Sequence, residues 1–440
     1  MKKLILFLLI IFGLFYSNLF SENNFPLKDG DIWVFLGDSI TAQKLHTNYF
    51  EGFCFTRFPE WNIHFRNSGV AGDTILKALA RFNWDVALWK PTIVSIELGM
   101  NDSVVLGFNS VSTYISRMET IVNKIKEIGA IPIIFSPSPV NDGSIQNKLI
   151  GRNITLDKYT IALEEFSKKN NIIFANQFHF LLDLWGRNKP IEEIHRLAVS
   201  IRKNLENPDL PSSDLLKKWI EEWEKSELSK KGIDIGGDPI HPGPVGQLMM
   251  CTILLEKMNA PKLVSKCSID ISNKKIEAVQ CKISNLKIEE DKISFDRLDN
   301  CLPMPIPREA QNALVIYPQI ADLSQWILKI ENLKNGKYEV YIDGISVANV
   351  SSEELEKGWN MSTVLKGPVY EQCLQVLSAI SAKENLVSEW RSIASLFSKM
   401  PSEEYKLKLQ ELSEKILQAD KKIKEIAKPS THNFVLSLIK

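Results

Sequence analysis

The chain has 440 residues, 44% of them hydrophobic and 24% charged, a balance typical of soluble globular proteins and a length that suggests two or three domains. Lys plus Arg and Asp plus Glu each number 53, so no net field favours nucleic acid or an anionic membrane surface. No basic run with interleaved aromatics is present, and polyanion binding drops out as a function class.

The first segment reads as an address. Met1-Lys2-Lys3 is followed by the apolar stretch from Leu4 to Phe20 and then by polar Ser21-Glu22-Asn23-Asn24, the n-region and h-region of a secretory signal covering residues 1–21. An uncleaved anchor is the alternative, because the run approaches the ~20 residues of a membrane-spanning helix. No later stretch is long and apolar enough to span. The expectation is export to the periplasm or beyond, with no stable membrane span after cleavage.

From Asp31 to about Asn176 short apolar runs alternate with amphipathic ones. Ile32 to Leu36, Asn62 to Arg66, Thr92 to Leu98, Ile131 to Phe135 and Asn171 to Ala175 read as strands. Between the third and fourth, Ile115, Met118, Ile121, Val122, Ile125 and Ile128 keep helical spacing, and Gly129 ends that helix. Continuous apolar strands alternating with helices predict a parallel sheet covered on both faces, with ligands at the carboxyl ends of the strands. Two amphipathic helices, Ile191 to Leu205 and Ser213 to Lys230, form an insertion at about 183–232, read as a lid or substrate wall. Val245 to Met258 closes the domain, which is assigned to 25–260.

After Pro261 the period switches to two. Lys274 to Ile283 and Trp326 to Val347 contain alternating strands, and Asn335-Gly336 and Asp343-Gly344 are hairpin signals; a small β domain is assigned to 261–350. Ser351-x-x-Glu354 is a capping box for a short helix closed by Gly358. Glu371 to Met400 and Ser402 to Lys428 predict a helical hairpin broken at Pro401, within a helical region at 351–440. The six cysteines lack metal-ligand spacing; Cys267 with Cys281 or Cys301 could pair after export, and buried free thiols account for them equally well.

Four stretches carry the chemistry. Gly37-Asp38-Ser39 follows strand one, Asn67 to Thr74 follows strand two, Gly99-Met100-Asn101-Asp102 follows strand three, and Asp238-Pro239-Ile240-His241 precedes the last helix. A serine hydroxyl needs a base within hydrogen-bond reach and a carboxylate to orient that base. It also needs donors aimed at the oxyanion. Ser39 on a strand-to-helix turn, His241 with Asp238 on one loop, the backbone of Gly72 and the amide of Asn101 can supply these parts. Asp38, Asp73 and Asp102 read as braces or helix caps. His46, His64, His179, His195 and His432 read as structural or surface residues, and Trp185, Trp219 and Trp223 as helix-packing residues.

In order and content these four stretches resemble the blocks of the SGNH/GDSL hydrolase family. Over roughly Asp31 to Met258 the resemblance implies an α/β fold, a flavodoxin-like three-layer α/β/α sandwich with a five-stranded parallel sheet. It implies Ser39 as nucleophile, His241 as base, Asp238 as its orienting partner, and Ser39, Gly72 and Asn101 around the oxyanion, with Gly72 chosen over Gly69. No metal or organic cofactor is implied. The expected substrate is a small-molecule or glycan ester, an O-acetylated carbohydrate first; a lipase, lysophospholipase or thioesterase is the alternative, and a non-catalytic envelope scaffold the alternative class. The region after Pro261 is similar to the tail of larger exported members, with a β module and terminal helices.

Overall fold

The computed structural model describes residues 25–144, 147–188, 201–203, 205, 214–225 and 237–439. The segment expected to be a signal peptide and most of the expected insertion, His195 included, lie outside the described residues. Among the described residues no helix is long and apolar enough to cross a membrane.

Five strands, β1 (Ile32–Gly37), β2 (His64–Gly69), β3 (Ile93–Glu97), β4 (Ile131–Phe135) and β5 (Ile173–Ala175), form one sheet in the order β2-β1-β3-β4-β5. Every pairing in it is parallel. The helices that connect and cover it are α1 (Ser39–Ala42), α2 (Leu45–Arg57), α3 (Ile75–Asp85), α4 (Met100–Leu106), α5 (Val111–Glu127), α6 (Asn153–Lys169) and α7 (Gln177–Asn188). After them come α8 (Asp214–Lys225) in the insertion and α9 (Pro244–Lys257) at the domain's end.

Both sheet faces are covered, as the apolar strands require. Val34, Val94, Ile96 and Ile134 pack on Phe82 of α3 and Met118 of α5. The alternate positions Trp33, Phe35 and Ile133 pack on Phe50 of α2 and Leu248 of α9. This is the three-layer sandwich expected from the sequence. Because β1 lies between β2 and β3 and its neighbours' crossovers run to opposite faces, a crevice opens at its carboxyl end. Ser39, Gly72 and Asn101 all follow strands that end there.

Helix α2 departs from the usual amphipathic pattern. Every residue from His46 to Arg57 is buried, and a helix buried all round needs a cover on each side. The sheet supplies one; the C-terminal half of the chain supplies the other. Leu302 N–H donates to the Thr56 carbonyl at 3.0 Å, and Arg57 donates to the carbonyls of Pro261, Leu263 and Leu323.

That half contains two sheets around a shared core of Phe295, Trp326, Leu328, Val340 and Phe434. Strands β6 (Leu263–Asp270), β7 (Lys275–Val279), β8 (Cys281–Ile288) and β9 (Lys292–Asp299) precede a short helix, α10 (Ala313–Ile316). Then come β10 (Gln325–Glu331), β11 (Lys337–Ile342), β12 (Ile345–Ser351), helix α11 (Ser352–Lys357) and β13 (Trp359–Asn360). The sheets run β13-β10-β6-β7 and β12-β11-β14-β9-β8, where β14 is His432–Leu438. The capping box of Ser351 and Glu354 is present on α11, and Gly358 ends it. The helical hairpin is α12 (Pro368–Lys399) and α13 (Glu403–Ile426).

Two readings of this half need correction. Asp343-Gly344 does join an antiparallel hairpin, β11 to β12, with both residues at positive φ, 50° and 79°, as a two-residue turn demands. Asn335-Gly336 does not: β10 and β11 lie in different sheets, so this turn carries the chain between layers. The second correction is the end of the chain. Residues 432–438 are a strand that sits in the middle of the five-stranded sheet, between β11 and β9, so 351–440 is not all helical. Phe434 and Leu436 alternate inward there, a period-2 signal seven residues long. The six cysteines are buried free thiols.

Candidate active site

The carboxyl end of β1 turns into α1 at Asp38, the N-cap, whose side chain accepts from Ile40 N–H at 3.0 Å. A capping carboxylate satisfies one of the orphan donors of the first turn. The backbone N–H of Ser39, the first residue of α1, has no acceptor among the described residues and is a spare donor beside its own hydroxyl. Beneath the turn, Thr41 donates to Glu97 at the end of β3 at 2.9 Å, and Gln177 donates to the same carboxyl at 3.2 Å. Burial, and then the charge of Asp38, push Glu97 well above the ordinary carboxyl range.

The base arrives from the loop before α9. Gly237 and Pro242 bridge across this loop. At Gly237, with φ of 94°, any side chain would strike the His241 carbonyl, because a Cβ would lie 1.8 Å away. Gln247 of α9 donates to the Pro242 carbonyl at 3.0 Å, and Asn141 N–H donates to the Pro239 carbonyl at 2.6 Å. The loop is therefore tied at its neck and to both neighbours.

Within it, Asp238 Oδ1 accepts from the backbone N–H groups of Ile240 and His241, each at 2.8 Å. Its other oxygen is 2.7 Å from His241 Nδ1. The His241 N–H, then the imidazole, then the Ile240 N–H hold Asp238 below the usual carboxylate range. An ionised carboxylate only accepts, so Nδ1 carries the proton and Nε2 is left to accept. Nε2 lies 2.8 Å from Ser39 Oγ. The residues at positions 39, 238 and 241, remote along the chain, thus form one hydrogen-bonded line.

Gly72 sits in the loop after β2 at φ 74°, with open space where a Cβ would be. No described residue accepts from its N–H. Asn101 Nδ2 donates to the Asp73 carbonyl at 2.9 Å, and its remaining hydrogen faces Asp38 Oδ2 at 3.3 Å. The first bond joins the β3 block to the Gly72 loop; the second is long. The three acidic neighbours brace this frame. Asp38 caps α1, Asp73 pairs with Arg81 at 2.7 Å, and Asp102 accepts from Ile75 N–H at 3.2 Å. Burial raises Asp38 to about 7 and Asp102 to about 6.

The remaining flagged residues are elsewhere. His46 is buried against Gln247, and burial lowers it to about 4. His64 pairs with Asp420, His179 with Asp157 and His432 with Asp343. Trp185 is buried in the core and Trp219 is 38% exposed. Among the described residues no group of His, Cys, Asp and Glu could hold a metal ion. Sequence reasoning did not single out Glu97, Arg81 or Asp85; a carboxylate in an otherwise apolar strand was the available signal for the first.

Residues 35–195 match the GDSL-like Lipase/Acylhydrolase family. An acetylxylan esterase of Geobacillus stearothermophilus is 26% identical over 173 residues, 34% of this chain and 77% of that one. A solved structure of a gut microbial diltiazem-metabolizing enzyme superposes with a TM-score of 0.70 at 22% identity, over 94% of this chain and 99% of that one, so the β module and hairpin belong to a shared full-length fold. The four blocks, the sheet order and the family match agree on one region: residues 35–195 carry a domain of the GDSL-like lipase/acylhydrolase type.

Proposed function

We propose that the protein is an exported serine esterase that removes acetyl groups from carbohydrate, with Ser39, His241 and Asp238 as its triad. The line from Ser39 Oγ through His241 to Asp238, at 2.8 and 2.7 Å, carries this reading. Ser39 Oγ attacks the ester carbonyl carbon while its proton passes to His241 Nε2. The negative oxygen of the tetrahedral intermediate accepts from the Ser39 and Gly72 N–H groups and from Asn101 Nδ2, which leaves Asp38 to do so. His241 then gives its proton to the departing alcohol oxygen, leaving an acyl-Ser39. A water attacks the acyl carbon as Nε2 takes its proton; collapse releases the acid and returns that proton to Ser39. Asp238 remains ionised throughout and steadies the imidazolium.

The acetylxylan esterase relationship supports acetyl and carbohydrate as substrate class, and the amino-terminal Lys2-Lys3 and apolar run support export. One observation favours a second reading. Val104 (58%), Val105 (69%) and Phe108 (62%) are exposed just after Asn101 in the chain, an apolar surface that a longer acyl chain or thioester would suit. Hydrolysis of p-nitrophenyl esters from acetyl to decanoyl, beside acetylated xylan, tests both. Acetyl preference with release of acetate from the glycan is expected; a steep rise with chain length would overturn the carbohydrate reading. Ser39→Ala should abolish turnover of p-nitrophenyl acetate, and wild-type rates in it would remove Ser39 from the mechanism.

A further inference from the structure

The loop that carries Gly72 is held at both ends by two arginines, and one of them comes from the far end of the chain. At the loop's start, Arg391 of α12 donates from Nη1 to the Gly69 carbonyl at 3.0 Å. At its end, Arg81 of α3 donates from Nε to the Asp73 carboxylate at 2.7 Å and from Nη2 to the Gly37 carbonyl at 3.2 Å. Gly37 lies two residues before Ser39, so one guanidinium ties the nucleophile turn to the Gly72 loop.

Asp85 joins the two arginines. Arg391 grips it bidentately, Nε to Oδ1 at 2.5 Å and Nη2 to Oδ2 at 2.7 Å, and Arg81 Nη1 donates to the same Oδ2. Asp85 is fully buried, and Arg81 and Asp73 nearly so. Burial alone would raise Asp85; the hydrogen bonds and charge of Arg391, then the charge of Arg81, outweigh it and keep the carboxyl below its ordinary range.

We propose that Arg391 of the C-terminal hairpin is a positioning residue of the esterase site, fixing the Gly72 loop and, through Asp85 and Arg81, the turn that bears Ser39. This inference rests on the triad reading given above. With Arg391 in place, two guanidinium groups balance the carboxylates of Asp85 and Asp73. Without it, one guanidinium faces both, and the Gly69 carbonyl loses its donor at the root of the Gly72 loop. Donors aimed at developing charge act only if their position is fixed beforehand, so the loss falls on the transition state and spares substrate binding.

The test uses the full chain and p-nitrophenyl acetate. Arg391→Met should lower kcat ten- to a hundredfold with KM within about threefold of wild type, and Arg391→Lys, which keeps the charge, should recover part of kcat. Lys383→Met, also beneath the hairpin but bonded to no part of the site, should lose stability and retain kcat once folded. A wild-type kcat in folded Arg391→Met, or in Arg391→Lys should the Met variant not fold, would overturn the proposal. So would an equal kcat loss in Lys383→Met. Ser39→Ala is assayed alongside: turnover by it would overturn the triad reading and this inference together. A dead Ser39→Ala beside a fully active Arg391→Met overturns this inference alone.

Discussion

The cleft at the sheet's carboxyl edge and the seam beneath the C-terminal hairpin both depend on ionised groups, and they hold them in opposite ways. In the cleft, Asp238 and His241 are three residues apart, with side chains 56% and 24% exposed. Water screens such a pair, and its contribution to stability is small. On the seam, Lys383 is fully buried and donates to Glu51 at 2.9 Å, to Glu384 at 2.6 Å and to the Phe65 carbonyl at 2.9 Å. Arg66 and Asp420 pair nearby at 2.8 Å, also buried. These partners come from opposite ends of the chain, Lys383 and Glu51 being 332 positions apart. The difference separates two uses of charge. An exposed local pair leaves its histidine free to exchange protons with substrate and solvent, whereas a buried long-range pair costs much desolvation and holds two halves of the fold in one register.

Asp238→Asn breaks the cleft side of the contrast with the largest effect. The asparagine oxygen can still accept from the Ile240 and His241 N–H groups, while the charge that stabilises the imidazolium is lost. We expect kcat on p-nitrophenyl acetate to fall about 10³–10⁴-fold with the melting temperature nearly unchanged. A kcat within tenfold of wild type would show that His241 does not need this carboxylate. Lys383→Met is the mirror experiment. It leaves Glu384 buried without its cation beside Glu51, whose carboxyl burial already raises to about 8, and removing one partner of a buried pair costs about 3–5 kcal/mol. Denaturant unfolding should show that loss, while kcat of the folded fraction stays at the wild-type level. A loss under 1 kcal/mol would mean that the seam charges are already neutralised in some other way.

Asn101→Ala sharpens the account of the cleft. If its amide meets the oxyanion, kcat should drop about 10²–10³-fold with little change in KM. Because Asn101 also donates to the Asp73 carbonyl at 2.9 Å, Asn101→Asp is the informative companion: it removes the donor and sets a carboxyl beside the same carbonyl, and it should be at least as inactive. Near wild-type kcat in either variant would leave the Ser39 and Gly72 N–H groups as the whole of the oxyanion site.

The same contrast explains what the sequence could show. The cleft was legible because its parts are short and ordered: a turn after each of three strands and an Asp-Pro-x-His loop before a helix. Apolar strand runs and helical spacing were enough for the five-stranded sheet, since both are local patterns. The seam was not legible. Nothing near Lys383 in the sequence separates it from the surface lysines of the hairpin, because two of its three partners lie on α2 and β2. A signal did exist on α2, where Tyr49, Phe50, Phe53, Cys54 and Phe55 go round the helix instead of along one face, demanding a second cover. Strand β14 escaped for a related reason: seven residues after a long helix acquire a strand's meaning only when β9 and β11 are already side by side. The Asn335-Gly336 turn misled because a turn signal fixes a local bend and leaves open which sheet the chain enters next.

The finest test concerns Asp38, which belongs to both regions: it is buried like a seam residue and sits at the lip of the cleft. Burial raises its carboxyl from the ordinary 3.8 to about 7, against the pull of the Ile40 N–H and of His241. A folded-state value above the unfolded one means that the native protein binds this proton more tightly. The stabilisation it gives is therefore complete below about pH 4 and is lost as the pH rises through about 7. Asp38→Asn carries no such proton and keeps an oxygen for the Ile40 N–H. Urea unfolding midpoints of the two proteins should be close at pH 4.5 and diverge at pH 8, with the variant the more stable by about 1–2 kcal/mol, one unit of displacement being worth about 1.4 kcal/mol and Glu97 absorbing part of the change. Such a gain would mean that the wild-type site gives up stability at working pH to keep a carboxylate next to its nucleophile. A gap that stays constant from pH 4.5 to 8 would show instead that Asp38 is already ionised in the native state at the lower pH, held there by Asn101 and the first turn of α1.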